Sequence, residues 1–239
     1  MSAKQDPKRA AVLGAIRQSL GRGPVSKALR RELDERVRKP LSPQMPARAK
    51  GERPELVARF VEMAEAASCS VRRLADFDEL PTAVADYLRE HNLPTALAVA
   101  PDALLDAVDW SREPLLERHR GIPRDSDLAG LTPAYAAVAE TGTLVAASGS
   151  HHPATLNFLP DHHLVAIRTS QIVGGYEEVW NRLRKDGRKG TAVDLPRTVN
   201  LITGPSRTGD IELTIHLGAH GPRSLHILLI DDEKEAVGD

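Results

Sequence analysis

Two spacings of hydrophobic residues take turns along most of the chain. Runs with apolar positions at helical spacing alternate with short apolar runs that are rich in β-branched residues. The predicted helices are 55–67, 80–90, 133–139, 176–183 and 211–217, and the predicted strands are 71–74, 96–100, 144–147, 164–167, 199–203 and 225–230. Strands that are apolar throughout are buried on both faces. We therefore predict an α/β fold with a doubly wound, mostly parallel sheet and helices on both faces.

The first 53 residues have a different pattern. Apolar residues recur at helical spacing over 6–20, where Asp6 and Pro7 suit a helix start and Gly21 suits its end. Residues 22–53 mix charges with four prolines and allow at most one short helix, over 27–38. We predict a basic N-terminal helix and linker over residues 1–53, followed by one domain over 54–239.

Charge is distributed unevenly between these two parts. Residues 1–53 hold 14 Lys and Arg against 5 Asp and Glu, whereas the remainder holds 18 against 28. A basic arm can bind nucleic acid, but this arm has no aromatic residue to stack on bases and no zinc-finger spacing. Docking on the acidic domain or on an acidic partner is the simpler interpretation, and nucleic-acid binding is only a third hypothesis.

Composition also restricts cofactors and location. The single cysteine, Cys69, cannot by itself form an intramolecular disulfide, an iron-sulfur site or a cysteine-rich zinc site. The sequence has no nucleotide-binding glycine fingerprint, and its nine histidines lack H-E-x-x-H spacing. We expect no cofactor or metal on this chain. The N-terminus lacks a signal-peptide core and no apolar run could span a membrane, which favours a cytoplasmic protein without membrane contact.

The segment between the predicted strand 199–203 and the next predicted helix concentrates polar groups. Its candidate ligand-binding residues are Gly204, Ser206, Arg207, Thr208, Asp210 and Glu212. Hydroxyls, a guanidinium and the free N–H groups of a helix start would together suit a small carboxylate or phosphate. The acidic side chains either favour the helix N-terminus through its dipole or bind a ligand hydroxyl. The alternative is a capped turn, with Thr208 as N-cap, that holds no ligand.

Two further motifs suit chemistry. The candidates are Glu140 as a catalytic group and Thr141, Gly142, Thr143, His220 and Gly221 as ligand-binding groups. Glu140 lies where a predicted alanine-rich helix turns into a strand, and a partly desolvated carboxylate can act as nucleophile or base. The imidazole of His220, in a glycine-rich bend, could reach a ligand at the turn. A charged helix end and an ordinary loop histidine are the alternatives.

With these motifs in this order, the chain resembles the lactate utilization protein C family, also called LutC or YkgG, whose shared unit is the LUD domain. The resemblance covers roughly residues 55–231. The motifs that carry it are ETGT at 140–143, LPDHHL at 159–164, GPSRTGDIE at 204–212 and GAHGP at 218–222. Gly209 departs from the expected alanine, and the stretch at 151–153 matches no family motif.

The resemblance implies a NagB/RpiA/CoA-transferase-like fold and a part in oxidising L-lactate to pyruvate alongside two iron-sulfur partner proteins. Because the chain lacks the thiolates for a cluster, we expect an accessory or ligand-binding subunit whose partners carry the clusters. The alternative is a stand-alone CoA-transferase-like or sugar-phosphate-type enzyme that uses Glu140. Whether the chain is itself an enzyme is left open.

Overall fold

The computed structural model describes residues 7–21, 23–38, 45–189, 192–211 and 214–232. The helices are α1 (Pro7–Ser19), α2 (Lys27–Arg38), α3 (Arg53–Ala66), α4 (Leu80–Glu90), α5 (Ala103–Asp106) and α6 (Tyr176–Asp186). The strands are β1 (Ser70–Leu74), β2 (Ala96–Val99), β3 (Glu117–Arg120), β4 (Ala129–Pro133), β5 (Ala136–Val138), β6 (Thr143–Ala147), β7 (His162–Arg168), β8 (Ile172–Val173), β9 (Arg188–Lys189), β10 (Ala192–Val193), β11 (Val199–Ile202), β12 (Arg207–Ile211), β13 (Thr214–Leu217) and β14 (Ser224–Ile230).

The chain divides into two compact units, residues 1–44 and 45–239. Helices α1 and α2 belong to the first unit, where the sequence predicts them. The second unit begins ahead of residue 54, because the short 3-10 turn Ala47–Ala49 already packs on it, with Ala49 fully buried. None of the helices in the described ranges has the length and hydrophobicity that crossing a lipid bilayer demands.

A six-stranded parallel sheet forms the centre of the second unit. Its strand order is β1-β14-β7-β4-β2-β3, and the register pairs Ser224 with His162 and Ser70 with His226. One face packs on α4, and the other packs on α3 and on a second sheet. The inner strands β7 and β14 are buried along nearly their whole length, as strands covered on both faces must be. The predicted mostly parallel α/β architecture is confirmed.

The second sheet is mixed and has the order β11-β6-β5-β8, with α6 on its outer face. Here one prediction is wrong, because residues 133–139 do not form a helix. Residues Ala136–Val138 are strand β5, which pairs antiparallel with β6 and parallel with β8 and is completely buried. Pairing on both edges outweighs the helical preference of alanine, which is only a weak local bias.

The predicted helix over 211–217 is also wrong. Strands β12 and β13 form an antiparallel hairpin there, with a register irregularity between Thr208 and Ile211. The β-branched residues Thr214 and Ile215 favour a strand. No helix N-terminus follows the turn at Gly204, so the donors predicted from a helix start are not part of this site.

Candidate functional site

The predicted binding turn lies between β11 and β12 and forms one wall of a cavity of about 250 Å³. Gly204 has φ +82°, and a Cβ there would collide with the carbonyl of Ala67, so the turn requires glycine. The bend at 218–222 closes over the same wall, where the backbone N–H of His220 donates to Ser206 Oγ at 3.3 Å. The structure thus brings together Gly204, Ser206, His220 and Gly221, as the sequence predicts.

The opposite wall contains two buried polar side chains that the sequence analysis missed. Asn157 ends the 3-10 turn Ala154–Asn157, His163 lies in β7, and each is only 1% exposed. Asn157 Nδ2 and His163 Nδ1 have no hydrogen-bond partner among the described residues. An unpartnered buried polar atom costs about 1–3 kcal/mol. Two such atoms on one cavity are therefore what we expect of a site that a ligand completes.

Further polar contacts hold these two side chains in place. Thr132 Oγ1 lies 2.8 Å from His163 Nε2, and His152 Nε2 donates to Asn157 Oδ1 at 3.1 Å, which orients the Asn157 amide. Burial lowers the pKa of His163 to about 3, with a smaller effect from His152, and burial also lowers the pKa of His152. Both imidazoles are therefore neutral at pH 7. His163 thus offers the cavity a hydrogen-bonding group and no positive charge at pH 7.

The remaining predicted residues of the turn do not share this wall. Arg207 Nη2 donates to the carbonyl of Ala67 at 2.6 Å, and its side chain lines a different cavity. Thr208 is buried in β12. Asp210 also lies in β12, and Glu212 lies outside the described residues. The predicted anion-binding set is therefore divided between two sides of the turn.

Glu140 follows β5 as a buried carboxylate, 7% exposed. Arg48, which the sequence analysis did not predict, donates from Nε to Glu140 Oε1 at 2.8 Å. Arg48 belongs to the 3-10 turn whose Ala49 packs so closely on Gly174 that a Cβ at Gly174 would collide with the Ala49 carbonyl. Gly142, with φ +66°, lies directly against the backbone of α3, where a Cβ would collide. The carboxylate is thus desolvated and covered by one cation.

A network of hydroxyls connects the Glu140 motif to the cavity. Thr143 Oγ1 lies 2.7 Å from Thr141 Oγ1, 2.9 Å from the Tyr176 hydroxyl and 2.7 Å from Thr203 Oγ1. Thr203 directly precedes Gly204 and lines the 250 Å³ cavity. Through this contact the two predicted motifs are neighbours. In the described ranges, no three His, Cys, Asp or Glu side chains are placed to hold a metal ion.

Comparison with known proteins identifies relatives of this chain. The LUD domain profile matches residues 57–230, which include both walls of the cavity. An uncharacterized protein of Neisseria meningitidis is 42% identical over 102 residues, 43% of this chain and 42% of that protein. Lactate utilization protein C of an Exiguobacterium species is 33% identical over 129 residues, 53% and 54% of the two chains. The YkgG protein of Escherichia coli is 32% identical over 103 residues, 43% and 44% of the two chains. The chain spans about half the length of the curated relatives it matches.

A solved structure supports the fold. The crystal structure of a DUF162 family protein from Deinococcus radiodurans has a TM-score of 0.52 and 21% sequence identity. The match covers 76% of this chain and 99% of that one. At this identity the similarity concerns the architecture of the sheets and helices alone.

Proposed function

Because the chain belongs to the LUD domain family, we propose that it is a component of an L-lactate utilization system and that the 250 Å³ cavity binds that system's small polar ligand. Support from relatives is the name lactate utilization protein C, which several of them carry. The observation that carries the ligand-binding part is the pair of unpartnered atoms, Asn157 Nδ2 and His163 Nδ1, on a cavity built by the Gly204 turn.

The polar groups on the cavity define the ligand that would fit. Asn157 Nδ2 is a donor, so it requires an acceptor such as a carbonyl, hydroxyl or carboxylate oxygen. The neutral ring of His163 donates or accepts at Nδ1 according to its tautomer, which Thr132 helps to set. Ser206 adds a hydroxyl at the rim. A small hydroxy acid satisfies this set, since its carboxylate oxygens can accept from the amide while its hydroxyl meets the imidazole, and a keto acid satisfies it when its carbonyl oxygen accepts from a protonated Nδ1 of His163.

The redox step itself belongs to other chains in this proposal. Oxidation of lactate to pyruvate removes two electrons, and the only thiol is Cys69. Burial raises the pKa of Cys69 to about 11, so the group stays a thiol at neutral pH and is not a thiolate ligand. We therefore propose iron-sulfur partner proteins as electron carriers and this chain as their ligand-binding or accessory subunit.

Growth of a deletion strain tests the proposal. Loss of the gene should abolish growth on L-lactate and spare growth on glucose, and the wild-type gene should restore it. Asn157→Leu should fail to restore growth, because it removes the donor of the cavity, whereas Asn181→Leu, the same change at an exposed position of α6, should restore it. Normal growth of the deletion strain would contradict the lactate role. Full restoration by a folded Asn157→Leu protein would contradict the role of the cavity.

A second candidate function rests on Glu140. Its buried carboxylate could attack the carbonyl carbon of a CoA thioester, forming an acyl-glutamyl anhydride and releasing the CoA thiolate. Arg48 now holds one carboxylate oxygen, so this step requires Arg48 to move or to pair with the substrate. Similarity of fold to CoA-transferases is by itself weak support for this activity, because one fold can host many functions. The purified protein should then turn over a thioester and lose that activity with Glu140→Gln, and inertness toward a panel of acyl-CoA thioesters would count against it.

A further inference from the structure

A second cavity lies on the other side of the Gly204 turn and has a different chemistry. Its volume is about 410 Å³, and it lies at the amino ends of β1 and β14. Its polar lining includes Arg207, Arg223, His91, Ser68, Ser70 and Ser224, together with Tyr87 and Cys69. Apart from Pro205 and Leu225, it shares no lining residue with the 250 Å³ cavity. The two cavities are thus separate candidates on one turn.

The charge of this cavity is positive and is only partly compensated. Arg207 uses one donor on the carbonyl of Ala67 at 2.6 Å, and a guanidinium has five N–H donors. Arg223 pairs with Asp161 at 3.2 Å, yet its side chain is 57% exposed. None of the described residues that line the cavity is acidic. Two guanidinium groups and three serines therefore line this cavity, and the carboxylate of Asp161 pairs with Arg223 from outside the lining.

Stacked rings support one side of the cavity, which Tyr87 and His91 line. Tyr87 is buried, stacks on His91 with 4.0 Å between ring centroids, and stacks on His226 at 4.4 Å. Ser70 Oγ lies 2.7 Å from His226 Nδ1. Burial is the main cause that lowers the pKa of His226 to about 4, so its ring stays neutral and fixed against Tyr87 at pH 7. Ser70 is held at a set position, which lowers the entropy that a bound ligand must remove.

We propose that this cavity is an anion site for a phosphate group, with Arg207 and Arg223 as charge partners and the hydroxyls of Ser68, Ser70 and Ser224 as further hydrogen-bonding groups. Guanidinium groups bind phosphate through paired, charge-assisted hydrogen bonds. Two guanidiniums and three hydroxyls exceed what the two oxygens of a carboxylate can use and match the three terminal oxygens of a phosphate monoester. The volume leaves room for the organic part of such a monoester. The inference does not depend on the lactate role.

Calorimetric titration of the purified full chain tests this site. The probes are inorganic phosphate, glycerol 3-phosphate and acetate, at pH 7.5 and constant ionic strength. We expect saturable 1:1 binding of phosphate or of glycerol 3-phosphate, and no saturable binding of acetate in the same range. Tighter binding of the monoester would identify an organic phosphate as the ligand class, and equal binding would identify the free anion. Absence of saturable binding for both phosphates, or equal affinity for acetate, overturns the proposal.

Substitutions locate the binding. Arg223→Ala should weaken it about tenfold, the loss of one charge-assisted hydrogen bond. Arg73→Ala is the matched control, because it removes the same charge from an exposed position of β1 that lines another cavity. Arg207→Ala should weaken binding as well, but Arg207 also supports the Ala67 carbonyl, so Arg223→Ala decides. Unchanged binding in Arg223→Ala, or an equal loss in Arg73→Ala, would overturn the assignment to this cavity.

Discussion

Adjacent histidines of β7 lie in two different environments. His162 faces α4, where its Nδ1 lies 3.0 Å from the Tyr87 hydroxyl. The rings of His91 and His226 stack on the same tyrosine. His163 points to the opposite face of the parallel sheet, toward the second sheet. There its Nε2 lies 2.8 Å from Oγ1 of Thr132 in β4, and its Nδ1 has no partner in the described part of the chain. On the first face the imidazoles are stacked around Tyr87, and on the other face His163 lines the 250 Å³ cavity with one ring nitrogen unpartnered.

The difference shows that burial of a histidine is not what marks a site. His226, on the same face as His162, is nearly as buried as His163, and its Nε2 is also unpartnered among the described residues, but its ring is stacked on Tyr87 and its Nδ1 contacts Ser70. His163 lacks such a stack and instead lines a cavity together with the unpartnered amide of Asn157. The combination of unpartnered groups with open volume is the observation that points to a ligand.

The largest effect on the free energy of unfolding should come from removing the ring of Tyr87, around which the imidazoles of the first face are stacked. Tyr87 is 3% exposed and contacts three imidazoles, so Tyr87→Ala should lower the free energy of unfolding by about 3–5 kcal/mol through lost packing and a cavity. Urea denaturation at pH 7 measures it. The matched control Tyr87→Phe keeps the ring and should cost about 1 kcal/mol, one hydrogen bond. Equal costs for the two variants would show that the ring does not hold this face together.

Acid should lower the stability of the protein through a buried histidine on each face of the sheet, His163 and His226. The pKa of His163 is about 3 and that of His226 about 4, each lowered mainly by burial, against about 6.5 in an unfolded chain. Between these values the unfolded chain binds protons that the folded chain does not. Stability is therefore complete above about pH 6.5 and falls as the pH drops toward 4 and 3. From pH 7 to pH 5 the two groups together should cost about 4 kcal/mol.

The two contributions can be separated by substitution. His163→Gln should reduce the loss in unfolding free energy between pH 7 and pH 5 by about 2 kcal/mol, because the contribution of His163 is removed while His226, His152 and His162, whose pKa values burial also lowers, still contribute. Urea denaturation at both pH values measures the difference. The carboxyl groups with lowered pKa, such as Asp86, titrate mainly below this range. A His163→Gln protein with the full wild-type loss would show that His163 is already protonated in the folded chain.

The sequence predicts helices and strands correctly where the local hydrophobic pattern matches the burial that the element has in the fold. The helix over 80–90 and the strands β7 and β14 follow directly from helical spacing and from uninterrupted apolar runs, whereas β4, beside β7, was not predicted. The helix predictions for residues 133–139 and 211–217 are wrong because these residues form strands, and strand formation depends on pairing with other segments. Strand β3 escaped prediction because only one of its residues is even half-buried, so it carries no apolar run.

The site was readable only where a turn has its own sequence signal. Ser206, His220 and Gly221 lie in glycine-rich bends, and the structure brings them together. Asn157 and His163 carry no such signal, because what distinguishes them is that their neighbours leave one atom of each without a partner. The sequence contains one indication of His163: it directly precedes the fully apolar run 164–167, so the fold must bury a polar group there.

A smaller change in unfolding free energy compares the surroundings of His163 with those of His162. Thr132→Val keeps the shape of the side chain but removes the Oγ1 contact with His163 Nε2, which leaves both nitrogens of a ring that is 99% buried without a partner. We expect a loss of about 1–2 kcal/mol in unfolding free energy, and less than about 0.5 kcal/mol for the exposed control Thr95→Val. The loss should exceed that of Tyr87→Phe, because His162 is only half-buried and water can replace the lost hydroxyl there. If Thr132→Val proved the milder of the two, water would already reach His163 through the cavity, and its unpartnered atom would no longer argue for a ligand.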